Sequence, residues 1–266
     1  MRKTHIIHFG ILLTALGPFF YPILSAQAVN HPSTSLSRME QLILGSTVQI
    51  SLFPKDDDYY ERGLGTVVSY KGERLVVTHN HWTLLRNLDR VEFSNAKGQL
   101  LMVLDKREFK HMILYTYPGT LILKAPAGFK SLTVELEAMA DTKVGEMVAV
   151  VYRKPSDRRQ LDIFQAKIQA IVSFEKDSAY QLVASNGENL NHGDSGGGIW
   201  LDGRFVGNLW AVENDPMREL LTGISAQTAY AATFPVGFSQ FVDMGIGVSQ
   251  SDAGMGRGKH GEKDVP

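Results

Sequence analysis

Residues 191–200 read NHGDSGGGIW, and the folding of this short loop decides how the rest of the chain is read. Four glycines, Gly193, Gly196, Gly197 and Gly198, surround Asp194 and Ser195. Glycine accepts φ > 0 and lets another backbone or a carbonyl come close. A tight turn of this composition exposes a serine hydroxyl beside converging backbone N–H groups, the arrangement that stabilises an oxyanion. The plain alternative is a glycine-rich hairpin with an incidental serine, and a full G-D-S-G-G run weighs against it. A serine hydroxyl is a weak nucleophile by itself, so the chemical reading requires a base elsewhere in the chain.

The base is sought in GLGTVVSYKGERLVVTHNHW, residues 63–82. Two apolar runs rich in β-branched residues are joined by Lys71-Gly72, a hairpin signal. The second run ends in Thr78-His79-Asn80-His81. A strand running into a loop can present a histidine at a cleft. His79 and His81 lie two apart and would share a face on a strand, so a metal pair is the competing reading. No cluster of further ligands stands near them in sequence, and no metal or cofactor is expected.

Similar runs recur along the chain: STVQISLF, GQLLMVL, GTLILKA, GEMVAVVY, QAKIQAIVSF, AYQLVAS, GGGIWL and RFVGNLWAV. They predict an all-β protein, a sandwich or barrel or a pair of barrels. Helical periodicity is confined to STSLSRMEQLILG and to a stretch near VGFSQFVDMG. KAPAGFKSLTVELEAMADTKVG reads as the connection between two halves, and SQSDAGMGRGKHGEKDVP as a tail too polar to order itself.

Composition narrows the function. The chain has 266 residues with a formal net charge of −1 and no basic stripe, so neither nucleic acid nor an anionic membrane is expected as partner. It has no cysteine, which excludes disulfides, a thiolate zinc site and a thiol nucleophile. At the N-terminus, Arg2 and Lys3 precede an apolar stretch and the small-x-small Ala26-Gln27-Ala28, the pattern of an export signal. An uncleaved anchor is the alternative, although Gly10, Gly17, Pro18 and Pro22 interrupt the stretch. The expectation is an exported protein, periplasmic or extracellular, with no membrane partner once the signal is cleaved.

Together GLGTVV, LVVTHNHW, GDSGGGIW and GRFVGNLWAV resemble the chymotrypsin (trypsin-like) serine proteases. They are most similar to the cysteine-free bacterial high-temperature-requirement branch. DTKVGEMVAVVY resembles the opening strand of that branch's second barrel, and ATFPV its last strand. The resemblance spans roughly residues 42–245 and leaves too few residues for a following PDZ module. It implies two packed Greek-key six-stranded β-barrels, divided as signal 1–28, N-terminal segment 29–41, first barrel 42–130, second barrel 131–248 and tail 249–266.

The same resemblance implies the site. The family's T-x-x-H falls on Thr78 and His81, making His81 the general base and Ser195 the nucleophile. The backbone N–H groups of Gly193 and Ser195 form the oxyanion hole. Asn189 stands at the base of the specificity pocket, with Trp210, Ala211 and Val212 along one wall. This implies small or aliphatic side chains in the polypeptide substrate rather than Lys or Arg. No I-V-G-G-like start follows the signal, so no activation cleavage that pairs a new N-terminus with Asp194 is expected.

One position departs from the pattern. The family's aspartate precedes a strand that corresponds here to PGTLILKA, and Gly119 stands in its place. Asp105 is the substitute carboxylate the sequence offers, following the strand QLLMVL; a water-facing hairpin end is its alternative role. The expected function is a serine endopeptidase. A protease-fold binding or scaffold protein and a non-peptidase hydrolase such as an esterase remain as alternatives.

Overall fold

Ser37 starts the first helix, α1 (Arg38–Ser46), through a capping box: its hydroxyl accepts from Glu40 N–H, and the Glu40 carboxylate accepts from Ser37 N–H. The computed structural model describes residues 36–55, 59–117, 119–136, 142–174, 177–184, 190–214 and 227–233. The expected export signal, the helix near VGFSQFVDMG and the tail 249–266 lie outside these residues. Among the described residues no helix is long and apolar enough to cross a membrane.

The first half is one sheet. Its strands are β1 (Thr47–Pro54), β2 (Glu61–Tyr70), β3 (Glu73–Thr78), β4 (Leu88–Asn95), β5 (Leu100–Asp105), β6 (Ile113–Tyr117), β7 (Thr120–Lys124) and β8 (Val134–Glu135). The order is β5-β4-β1-β2-β3-β7-β6, with β8 parallel to β2. Alternation along β2 and β3 explains their unbroken apolar runs. Val67 and Val76 face the core of this half, whereas Leu64, Val68, Leu75 and Val77 face a seam shared with the second half. Both faces are buried, so no polar residue is needed between the apolar ones.

This sheet differs from the closed six-stranded barrel expected. Asp105 caps a second helix, α2 (Lys106–Met112), in another capping box with Glu108, so the chain leaves the sheet at the end of β5. The helix packs against β4, β5 and β6 and buries Phe109 and Met112 in the core. Residues from β1 to β5, from β7 and from α2 all meet around that one core, so the sheet wraps on itself.

The second half is a closed barrel, ordered β10-β11-β14-β13-β12-β9. Its strands are β9 (Met147–Arg153), β10 (Leu161–Phe174), β11 (Asp177–Ala184), β12 (Gly198–Leu201), β13 (Arg204–Asn214) and β14 (Gln227–Thr233). Closure leaves no open edge. The all-β fold in two halves is therefore as expected.

The segment read as a connection belongs to the first half as far as Leu136. Phe129 enters the first core, and the Arg74 guanidinium donates to Phe129 O, Ser131 O and Thr133 Oγ1. Leu136 N–H donates to Ser69 O.

Candidate active site

The nucleophile loop needs its glycines where it meets β2. Gly193 and Gly196 have φ of +95° and +83°, and Leu64 O presses on Gly196 so closely that any Cβ would clash. Leu64 N–H donates to Ser195 O at 2.8 Å, and Leu64 O accepts from Thr78 Oγ1 at 2.6 Å. One residue of β2 therefore ties the serine loop to the end of β3, which carries the histidines. Gly196 N–H donates to Leu209 O, completing the loop's seat on β13. Among the described residues no protein acceptor takes the N–H of Gly193 or Ser195.

Beneath this loop lies a group that sequence reading missed. Arg153, at the end of β9 and only 2% exposed, donates from Nε to Gly193 O and from Nη2 to Gly63 O, each at 3.0 Å. Its Nη1 donates to Arg158 O and to Gln49 Oε1. The carboxylate of Asp194, fully buried, accepts from the N–H of Arg153 (3.0 Å) and of Asn191 (2.7 Å), with Arg158 Nη2 at 3.7 Å. Burial pushes the Asp194 carboxyl above its usual range, against the pull of those hydrogen bonds and cations. Burial also pushes Arg153 down to about 10, with Asp194 opposing. The signal was present in the sequence: an arginine closes the otherwise apolar strand MVAVVYR.

His81 follows β3 in the loop beside Ser195. Its Nε2 stands 3.2 Å from Ser195 Oγ, within reach for proton transfer. With the ring protonated on Nδ1, the serine hydroxyl donates to Nε2. Asn80 Nδ2 donates to Tyr117 O and holds the loop to β6. Behind His81 the rings form a stack. His79 lies 4.0 Å from the His81 ring, tilted 34°, and 3.9 Å from Trp82, tilted 33°. Among the described residues no group of three His, Asp or Glu assembles as a metal site.

The missing carboxylate has a structural counterpart. Gly119 adopts φ +72°, and a Cβ placed on it would stand 2.6 Å from Trp210 Cδ2 and 2.9 Å from Ala232 Cβ. The Trp210 indole therefore covers the position where the family's acid is expected. Gly119 O accepts from Asn208 Nδ2, and Asn208 Oδ1 accepts from Thr120 Oγ1, both at 2.8 Å. Asp105 is not a replacement. It lies at the end of β5, and its carboxylate accepts from Glu108 N–H as the α2 cap.

Two cavities flank the pair. One of about 430 Å³ is lined by His81, Leu190, Ser195, Trp210, Val212 and Gln227. Gln227 donates to Leu190 O and to Asn214 Oδ1 and accepts from Leu190 N–H, so it joins opposite walls. Asn189, the expected pocket base, lies outside the described residues. The other cavity, about 230 Å³, is lined by Tyr60, Arg62, His81, Trp82, His192 and Ser195, among others. The Arg62 guanidinium rests 4.5 Å from the Tyr60 ring centre.

No family model matches the chain, and no curated protein matches it. Solved structures do. The tobacco etch virus protease matches with a TM-score of 0.52 and 13% identity over 78% of this chain and 82% of that one. The Rv3671c protease from M. tuberculosis matches in its active form with a TM-score of 0.51 and 16% identity, over 74% of this chain and 79% of that one. Its inactive form gives 0.53 and 17%, over 77% and 91%. Identities this low speak to architecture, and the architecture of this chain is that of the chymotrypsin-like proteases.

Proposed function

We propose that the protein is a serine endopeptidase with Ser195 as nucleophile and His81 as general base. The 3.2 Å approach of His81 Nε2 to Ser195 Oγ, beside the Gly193 and Ser195 amides, carries this reading. Ser195 Oγ attacks the scissile carbonyl as its proton passes to Nε2. The two N–H groups hold the tetrahedral oxyanion, and the His81 imidazolium returns the proton to the leaving amine. Water then repeats the steps on the acyl-enzyme. In the template mechanism, losing the acid lowers turnover by about four orders of magnitude, with the oxyanion hole and binding still giving roughly 10³–10⁴ over water.

Asp194 is held by the Arg153 backbone N–H and by the Arg158 guanidinium, which supports a loop set without an activation cleavage. The absence of cysteine and the leader-like pattern of Arg2, Lys3, an apolar stretch and Ala26-Gln27-Ala28 support placing the chain with the exported, cysteine-free bacterial branch. N-terminal sequencing of the mature protein tests the leader: a start near residue 29 is expected, and retention of Met1 in a membrane fraction contradicts it.

The test of the activity is digestion of an unbiased peptide library by the mature chain. Cleavage that disappears in both Ser195→Ala and His81→Ala is expected. The covered Gly119 favours a second reading, a protease-fold scaffold that binds polypeptides without cutting them. Peptide retention by a folded protein that cleaves nothing would establish that reading instead.

A further inference from the structure

His79 is an expensive residue for its position. It is 2% exposed, and neither Nδ1 nor Nε2 has a hydrogen-bond partner. Buried polar atoms are nearly always paired, because leaving one unpaired costs stability. A leucine or phenylalanine would fill the same space without that penalty. Hydrogen bonding therefore does not account for an imidazole here, and what remains is what the ring faces. On one side is His81 at 4.0 Å, on the other Trp82 at 3.9 Å. The Trp82 edge and His79 Nε2 in turn abut Gly63, where a Cβ would clash with both. The stack therefore runs from the base to the wall of β2 with no slack.

Building on the assignment of His81 as general base, we propose that His79 is a positioning residue for it, acting through ring stacking. The His79 ring, 4.0 Å away and wedged against Trp82, backs the His81 ring with a face. When Ser195 gives up its proton, the new imidazolium meets the π face of a neutral ring, a cation–π contact. Neutrality matters, because a second imidazolium at that distance would repel the first. Burial, with the His81 charge second, holds His79 well below its usual pKa, so it stays uncharged when His81 is protonated.

The test compares His79→Leu and His79→Phe with the parent. Among the described residues, other ionisable groups near His81 include Tyr59, Tyr60, Glu61 and Arg62 on the β2 side, and His192 and Asp194 on the nucleophile loop. None of these changes in the variants, so a difference between profiles reports the stack. Two readouts are used: the rate of fluorophosphonate labelling as a function of pH, and titration of the His81 ring by NMR. Leucine is expected to slow labelling roughly 2- to 30-fold, the span of a cation–π contact. It should also move the His81 titration to lower pH, with the urea midpoint at pH 7 equal to or above the parent's. Phenylalanine, which restores an aromatic face, should recover most of both.

Leucine that labels and titrates like the parent overturns the proposal. Leucine and phenylalanine equally slow, in proportion to lost folded protein, reduce His79 to packing and also overturn it. A parent that never labels refutes the endopeptidase reading instead, and the NMR titration still decides whether the stack sets the basicity of His81.

Discussion

Restoring the missing acid by Gly119→Asp should fail, for reasons that can be sized. The backbone there has φ +72°, a conformation that costs an L-residue about 1–2 kcal/mol, somewhat less for aspartate. A Cβ would enter within 2.6 Å of Trp210 Cδ2 and 2.9 Å of Ala232 Cβ. Overpacking of this kind costs about 1–3 kcal/mol, and the carboxylate would lie under an indole that cannot solvate it. A loss of about 2–5 kcal/mol is expected, a large share of the 5–15 kcal/mol a domain typically has. Urea unfolding followed by tryptophan fluorescence measures it, and fluorophosphonate labelling reads reactivity in the folded range. Gly119→Asp should be destabilised and no faster than the parent. Adding Trp210→Ser makes room for the carboxylate. The double variant should then be more stable than the two single effects predict, by at least about 1 kcal/mol of coupling, and should label faster than either single variant. A Gly119→Asp protein as stable as the parent and tenfold more reactive would show that the indole does not close the site.

Three further outcomes are expected. Arg153→Met removes the guanidinium that donates to Gly193 O and Gly63 O and should cost about 1–3 kcal/mol for the buried carbonyls left unpaired; a fully stable, fully reactive variant would remove Arg153 from the nucleophile loop's support. His79 is depressed below 6.5 when folded and returns to about 6.5 when unfolded, so its contribution is intact above pH 6.5. As pH falls below that value the unfolded chain takes up a proton that the folded chain refuses, and stability drops by up to about 1.4 kcal/mol per pH unit. The urea midpoint of His79→Leu should therefore decline less between pH 6.5 and 5 than the parent's, and parallel profiles would contradict this. Peptide profiling should show cleavage after small or aliphatic residues, given Val212, Leu190 and the bridging Gln227 in the larger cavity; dominant cleavage after Arg would refute it.

Much of this was legible in the sequence for identifiable reasons. β2 and β3 are buried on both faces, so their valine runs are unmistakable, and the glycines around Ser195 are demanded by contacts such as that of Leu64 O on Gly196. β4 was hidden because a register shift in its pairing with β1, between Phe53 and Pro54, brings Leu88 and Val91, three apart, to the same core. Strict alternation fails there. α2 is only seven residues long, and its one local signal was the Asp105–Glu108 capping box; reading Asp105 as a catalytic substitute obscured it. β14 is built of Ala and Thr because Ala229 and Ala231 face the crowded interior of the second barrel, and small side chains give a weak strand signal. The Gly119–Trp210 contact joins residues far apart in sequence, and only the packed structure shows that one fills the space the other leaves.

The most direct measurement is intact-protein mass spectrometry of the mature chain after exposure to a fluorophosphonate. One adduct mapped to Ser195 is expected, lost in Ser195→Ala and at least strongly slowed in His81→Ala. A folded parent that takes up no reagent, or an adduct on Ser195 formed just as fast without the His81 imidazole, would contradict a nucleophile activated across 3.2 Å.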